Sequence, residues 1–428
     1  MAANTRELSW WGGPTSSKVS GQERLSYDIH GLVKVQLGGP NIALLGSLDR
    51  TLSPFRVATT DPDFVLELGT YPATGWEPTG STVGDRMLYD SSVRQTTVFT
   101  AQLGNAIRKR DVQYVITGEP RVGTGPVTVN VPNSGRRVGR LRQAGIETLH
   151  LEGRRALLAL AGDPIFLVER TEQEAEGILQ TIFEPFLFYR LPGRDCTLVH
   201  GAALSSGGSG VLMLGLASVG KTSLALRLVK NGYMYYGDDL PIIARNGELI
   251  SNPKPIKLRS QHIELFPELA DTIIQGLDGG ERILLSRGVR KHEPEFMRRL
   301  PRRSLDDIFR GAKIGDRVPL KTIIFLRRMT GKEFYVDELD GASLVRDTAA
   351  DLFFQFPCAP WRRTMYYFCS SIAMGRDFMA EEEVHHRKIT DILAEAFSSA
   401  RVLRLNAPLD YGQRELEGKV LDALSSVH

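Results

Sequence analysis

From residue 25 to residue 168, apolar residues alternate with polar ones in short runs, among them YDIHGLVKVQL, DFVLELG, VQYVITG and VTVNV. A period of two sends successive side chains to opposite faces of a sheet, so this half is expected to be strands. Turn-rich joints such as TDPD, GEPRVGTGP and VPNSG leave few stretches able to hold a long helix. At Thr171 the apolar spacing changes to three and four. TEQEAEGILQTIFEPFLFYR, ending at Arg190, has a capping threonine, an acidic first turn and an apolar stripe, which predicts a helix. That helix is expected to hand a β-rich accessory domain, residues 1–170, to a second domain, residues 171–428.

The second domain opens with a strand, a glycine turn and another strand (CTLVHGAALS, SGGSG, VLMLG), then a Gly-rich loop and the helix KTSLALRLVKNG, ended by Gly232. Further strands are expected in MYYGDDLPIIAR, ELIS, PIKLR, LKTIIFLRR and EFYVDEL, and further helices over residues 342–354, 381–399 and 411–425. Strands mixed with helices predict an α/β (α+β) two-domain chain, its second part a mixed sheet with flanking helices. Residues 276–310, rich in Gly, Arg and Pro, read as a long excursion.

Charge narrows the function classes. The 53 basic residues against 50 acidic ones leave a net +3, so no whole-chain field argues for DNA or a membrane surface. The three cysteines, Cys196, Cys358 and Cys369, lack metal or redox spacing, which fits a reducing cytoplasm. The first residues show no export signal, and no apolar run reaches the roughly 18 residues of a membrane span. The expectation is a cytoplasmic protein.

Gly215, Leu216, Ala217, Ser218, Val219, Gly220, Lys221 and Thr222 fit GxxxxGK[ST], with an apolar strand before and a helix after. Glycines let backbone N–H groups turn toward a triphosphate, and the helix N-terminus adds partial positive charge there. Lys221 is expected on the outer phosphates, Thr222 on Mg2+, and Ser223 at the start of the helix beside the nucleotide. Seventeen residues after Lys221 stand Asp238 and Asp239, closing the run YMYYGDD. Two adjacent carboxylates at a strand end need a cation or a shared proton to coexist. One would hold the metal, a role expected of Asp239 beside Thr222; the other would take the proton of an attacking hydroxyl. Which acid has which role stays open at this point. His200, in LVHGAAL just before the loop strand, is the remaining catalytic candidate.

Taken together, LVHGAAL, GLASVGKTSLAL and YGDDL resemble the catalytic domain of the HPr kinase/phosphorylase family and its phosphoenolpyruvate carboxykinase-like relatives. The resemblance implies a kinase that uses ATP and Mg2+, with one aspartate as general base, the other supporting Mg2+, and His200 close to both. It also implies self-association, since such kinases are typically homo-oligomers. Where HPr kinases carry a second glycine-rich signature close to RGLG, this chain has NPKPIKLRS. Lys254, Lys257 and Arg259 are therefore candidates for contacts to a different acceptor, either Ser or Thr of a peptide or protein or a small-molecule hydroxyl. The alternative is a nucleotide-dependent regulatory NTPase whose basic excursion, with Arg287, Arg290, Lys291, Arg298, Arg299, Arg302 and Arg303, responds to the bound nucleotide. Between Arg287 and Arg303 Phe296 is the lone aromatic, which argues against RNA. His385 and His386 are adjacent, so they point to different sides of a helix and read as surface residues rather than metal ligands.

Overall fold

The computed structural model describes residues 24–58, 61–68, 81–82, 87–90, 96–103, 110–117, 127–131, 175–216, 219–258, 260–267, 269, 303–353 and 376–425. The expectations for Ala217, Ser218, Arg259, Cys358, Cys369 and nearly all of the basic excursion lie outside them. What is described is an α/β protein of helices and mixed sheets.

Among the described residues the first half is a nine-stranded sheet. Its strands are β1 (Leu25–Ile29), β2 (Val33–Gly38), β3 (Arg56–Val57), β4 (Phe64–Leu68), β5 (Ser81–Thr82), β6 (Met87–Asp90), β7 (Thr96–Leu103), β8 (Arg110–Thr117) and β9 (Val127–Val131), in the spatial order β3-β1-β2-β4-β9-β8-β7-β6-β5. The alternation that predicted strands is the alternation of burial: Val33, Val35 and Leu37 face the core, and Lys34 and Gln36 do not. The half expected to be mostly strands also holds one helix. In α1 (Ile42–Leu52), Asn41 accepts from the Leu44 N–H at 3.2 Å, and Leu44, Leu45, Leu48 and Leu52 form a buried stripe.

The expected helix before residue 190 is described from Ala175. It passes through a π-helical stretch, Leu179–Phe183, into α2 (Glu184–Arg190). Phe186 of α2 packs on Phe64 of β4, ring centroids 4.5 Å apart, so the first sheet shares an apolar core with the second half. A polar tie adds to it. His30, in the β1–β2 turn, lies 2.6 Å from Asp316 through Nδ1 and 2.8 Å from the Ser251 carbonyl through Nε2, while Arg317 donates to the His30 carbonyl.

The second sheet contains β10 (Cys196–Leu198), β11 (Gly201–Ser206), β12 (Ser209–Leu214), β13 (Met234–Asp239), β14 (Ile242–Ala244), β15 (Glu248–Ile250), β16 (Arg317–Met329), β17 (Tyr335–Glu338) and β18 (Arg401–Pro408). The main path runs β10-β14-β15-β16-β12-β11-β13, and β18 joins β16 to β17. Helices α3 (Lys221–Lys230), α4 (Ser260–Leu265), α5 (Leu305–Ile308), α6 (Gly341–Phe353), α7 (Phe378–Ser398) and α8 (Gln413–Ser425) accompany it. The expected strand PIKLR does not form over its described residues, 255–258, where Ile256 alone pairs, in an isolated bridge to Arg303. Burial pushes the Cys196 thiol up to about 11, which marks it as an inert core group. Among the described residues no helix is long and apolar enough to cross a membrane.

Register assembles the site. β12 pairs in parallel with β16, while β11 runs antiparallel to both β12 and β13. The ends of β12 and β13 therefore fall at the same sheet end as the start of β11. Gly201 is opposite Leu214 on one side and Asp239 on the other, which brings His200, the phosphate loop and the acid pair together. A Cβ on Gly201 would stand 2.6 Å from the Met213 carbonyl. Gly201→Ala is expected to cost about 1–3 kcal/mol through forced strand separation, read as a lower denaturant midpoint with an unchanged slope.

Candidate active site

The loop between β12 and α3 is shaped by its backbone. Gly215 has φ +137° and Gly220 φ +98°, and a Cβ on Gly215 would meet the Leu326 carbonyl at 2.4 Å. The buried Lys221 ammonium donates to the Gly215 and Leu216 carbonyls at 2.6 and 3.1 Å. Burial lowers its pKa, opposed by Asp238, Asp351 and Asp239. The loop is braced from far along the chain, since Tyr411 donates to the Val219 carbonyl at 2.6 Å. Ser223 is fully buried under the loop.

At the end of β13 the two acids face different neighbours. Thr222 donates through Oγ1 to Asp238 at 2.7 Å. Burial raises the pKa of Asp238, the Thr222 bond opposes this, and Asp239 adds to the rise. Asp239 is more open, with its carboxylate 54% exposed, and sits at φ +76°, a left-handed backbone that costs a non-glycine residue about 1–2 kcal/mol. It lies 3.1 Å from Lys254 and 3.9 Å from Nε2 of His200. Sequence set Asp239 beside Thr222 as a metal ligand; in the structure the carboxylate bonded to Thr222 is that of Asp238.

Lys254 is held in place, its ammonium between Asp239 and the buried Glu184 of α2, at 3.1 and 2.8 Å. Lys257 lies apart from the acids, 4.0 Å from Glu176. His200 is 2.6 Å through Nδ1 from Asp351 of α6. Asp351, Glu184 and Tyr411 escaped the sequence reading because they are 151, 70 and 192 positions from the residues they touch, and no local pattern marks them.

The donor set fits Mg-ATP. Thr222 and Asp238 offer two hard oxygens side by side, Lys221 is a cation now satisfied only by loop carbonyls, and α3 points its N-terminus at the loop. Among the described residues no cluster of three or more metal-ligating side chains occurs, so the phosphates would have to complete the coordination.

The curated relatives that match are HPr kinase/phosphorylases. Over 93 residues the chain is 31% identical to that of Lactococcus lactis subsp. lactis (strain IL1403), which is 22% of this chain and 29% of the relative. The same identity and coverage hold for L. lactis subsp. cremoris strains MG1363 and SK11. The matched stretch thus spans under a third of those relatives' length, and the relationship it supports is distant and partial. No family model matches the chain.

Two features lie elsewhere. A cavity of about 630 Å³ between Leu32, Tyr189, Arg194 and Val384 contains none of the loop or acid-pair residues. His385 is more than a surface residue, being half-buried and packed against Phe188 and Tyr189 with ring centroids 4.8 Å away.

Proposed function

We propose that the chain is an ATP- and Mg2+-dependent kinase that transfers the γ-phosphoryl group to a hydroxyl, on Ser or Thr of a peptide or protein or on a small molecule. The observation carrying this reading is the convergence, at one sheet end, of Lys221, the Thr222–Asp238 pair and the Asp239–His200 pair. Lys221 would leave the loop carbonyls to hold the outer phosphates. Thr222 and Asp238 would hold Mg2+, which with ATP supplies the transferable group and offsets its charge. Asp239 would accept the proton of the acceptor hydroxyl at Oδ1, its carboxylate oriented by Lys254. The β-rich first half, residues 1–170, would recognise the acceptor. The cytoplasm, rich in Mg-ATP, is the setting proposed, and neither nucleic acid nor a membrane is needed.

The assignment of Asp238 to the metal has its own test. A carboxyl whose folded pKa lies above the unfolded value stabilises the fold at low pH and loses that contribution as pH rises, so ionised Asp238 opposes folding at neutral pH. Asp238→Asn keeps an acceptor for Thr222 and removes the charge. The nucleotide-free variant is expected to melt higher than the parent at neutral pH, while the added stability conferred by Mg-nucleotide is lost. Thermal melts with and without Mg-ADP check both parts, and undiminished Mg2+-dependent stabilisation would remove Asp238 from the metal site.

A further inference from the structure

The phosphate-transfer reading makes no use of Asp351, yet this residue makes a close contact at the site. Its Oδ2 lies 2.6 Å from Nδ1 of His200, at the short end of N–H···O hydrogen bonds. The His200 side chain is only 10% exposed and that of Asp351 22%, so water competes weakly for either.

We infer that Asp351 is the positioning residue of the centre, clamping His200 so that Nδ1 carries a hydrogen and Nε2 faces Asp239. An ionised carboxylate can only accept a hydrogen bond, so the proton of this contact belongs to Nδ1 whether the ring is neutral or charged. The ring is thereby fixed against rotation, and its Nε2 points across 3.9 Å to Asp239 Oδ1. That gap is too long for a direct hydrogen bond and wide enough for one bridging hydroxyl or water. Asp239, with Lys254 on its other side, and the clamped Nε2 form the two walls of a slot. In the kinase reading, on which this role in transfer rests, the acceptor hydroxyl lies in that slot. Asp351 touches neither nucleotide nor acceptor and acts through His200.

The test reads the clamp and its consequence separately. Full-length chain with ¹⁵N-labelled histidine is examined by long-range proton–nitrogen correlation of the imidazoles, and the His200 signal among the eight histidines is assigned by its loss in His200→Asn. The wild type is expected to show a protonated Nδ1 at His200. In Asp351→Ala the ring is expected to lose that fixed pattern. A neutral wild-type ring protonated on Nε2, or a pattern unchanged in Asp351→Ala, overturns the proposal whatever the activity. Asp351→Asn, which keeps the shape and lets either ring nitrogen be protonated, is the second variant should the alanine chain fold poorly. Its transfer turnover from γ-labelled ATP is expected to fall about 10²-fold with nucleotide affinity unchanged. Unchanged turnover overturns the positioning role. A wild type with the Nδ1–H signature that phosphorylates no acceptor upholds the clamp and defeats the kinase reading instead.

Discussion

Asp239→Asn is expected to lower phosphoryl transfer by about 10² to 10⁴-fold while leaving Mg-nucleotide binding intact. The asymmetry follows from the neighbours of each acid. Asp239 faces the open side of the cleft with Lys254 and His200 around it, whereas Asp238 is turned back onto Thr222. An amide at 239 keeps the shape and a weak acceptor for Lys254 but cannot take a proton from an attacking hydroxyl. The measurement is a single-turnover experiment with the variant saturated in nucleotide, accompanied by equilibrium binding of the nucleotide. A variant that binds less tightly and transfers at the parental rate would give Asp239 a ground-state role and remove it as the base.

Lys221→Ala is the second large effect. Losing one preorganised charged donor to the transferring group is expected to cost about 3–4 kcal/mol of transition-state stabilisation, equivalent to about 10²–10³-fold in rate. Nucleotide affinity is expected to fall as well, because in the proposed kinase the same ammonium would hold the outer phosphates in the ground state. The variant also changes the empty loop. The Gly215 and Leu216 carbonyls lose the ammonium that now satisfies them, and the half-buried loop is expected to lose about 1–3 kcal/mol of stability. A melt of the nucleotide-free chain therefore accompanies the kinetics, so that loss of fold is not read as loss of chemistry. Lys221→Arg is not expected to rescue transfer, since a planar guanidinium does not fit the space between two adjacent carbonyls.

The parts of the site that could be read from sequence are those whose geometry is local. The phosphate loop is contiguous, its strand and helix are set by flanking apolar periodicity, and its glycines are needed where φ is positive. His200 and the acid pair could be read because each falls at the end of an apolar strand next to that loop. Which of them meets Thr222 could not, because Asp238 and Asp239 differ only in which way each side chain turns. The long-range braces were invisible for a related reason. Asp351 and Glu184 are single acids in amphipathic helices, where an acid is ordinary, and only tertiary packing brings them to His200 and Lys254.

Two elements show where local pattern misleads. NIALLGSLDRTL lies in the half expected to be mostly strands, and its Asn41 cap and buried leucines make it α1. PIKLR alternates like a strand, but Lys254 is drawn to Glu184 and Asp239 and Lys257 toward Glu176, so the segment runs as an extended arm with a single bridge. In both, tertiary contacts outweigh a weak local preference. The arm also connects the halves of the molecule, since His30 engages Ser251 three positions before Lys254.

The most direct test of the proposed kinase is transfer from γ-labelled ATP, with Mg2+, into a host-cell extract separated into protein and small-molecule fractions. The wild type should place label in one acceptor, and Lys221→Ala, Asp238→Asn and Asp239→Asn should each slow its appearance by about 10²-fold or more. Release of free phosphate alone, or tight nucleotide binding with no labelled product in either fraction, would contradict the account.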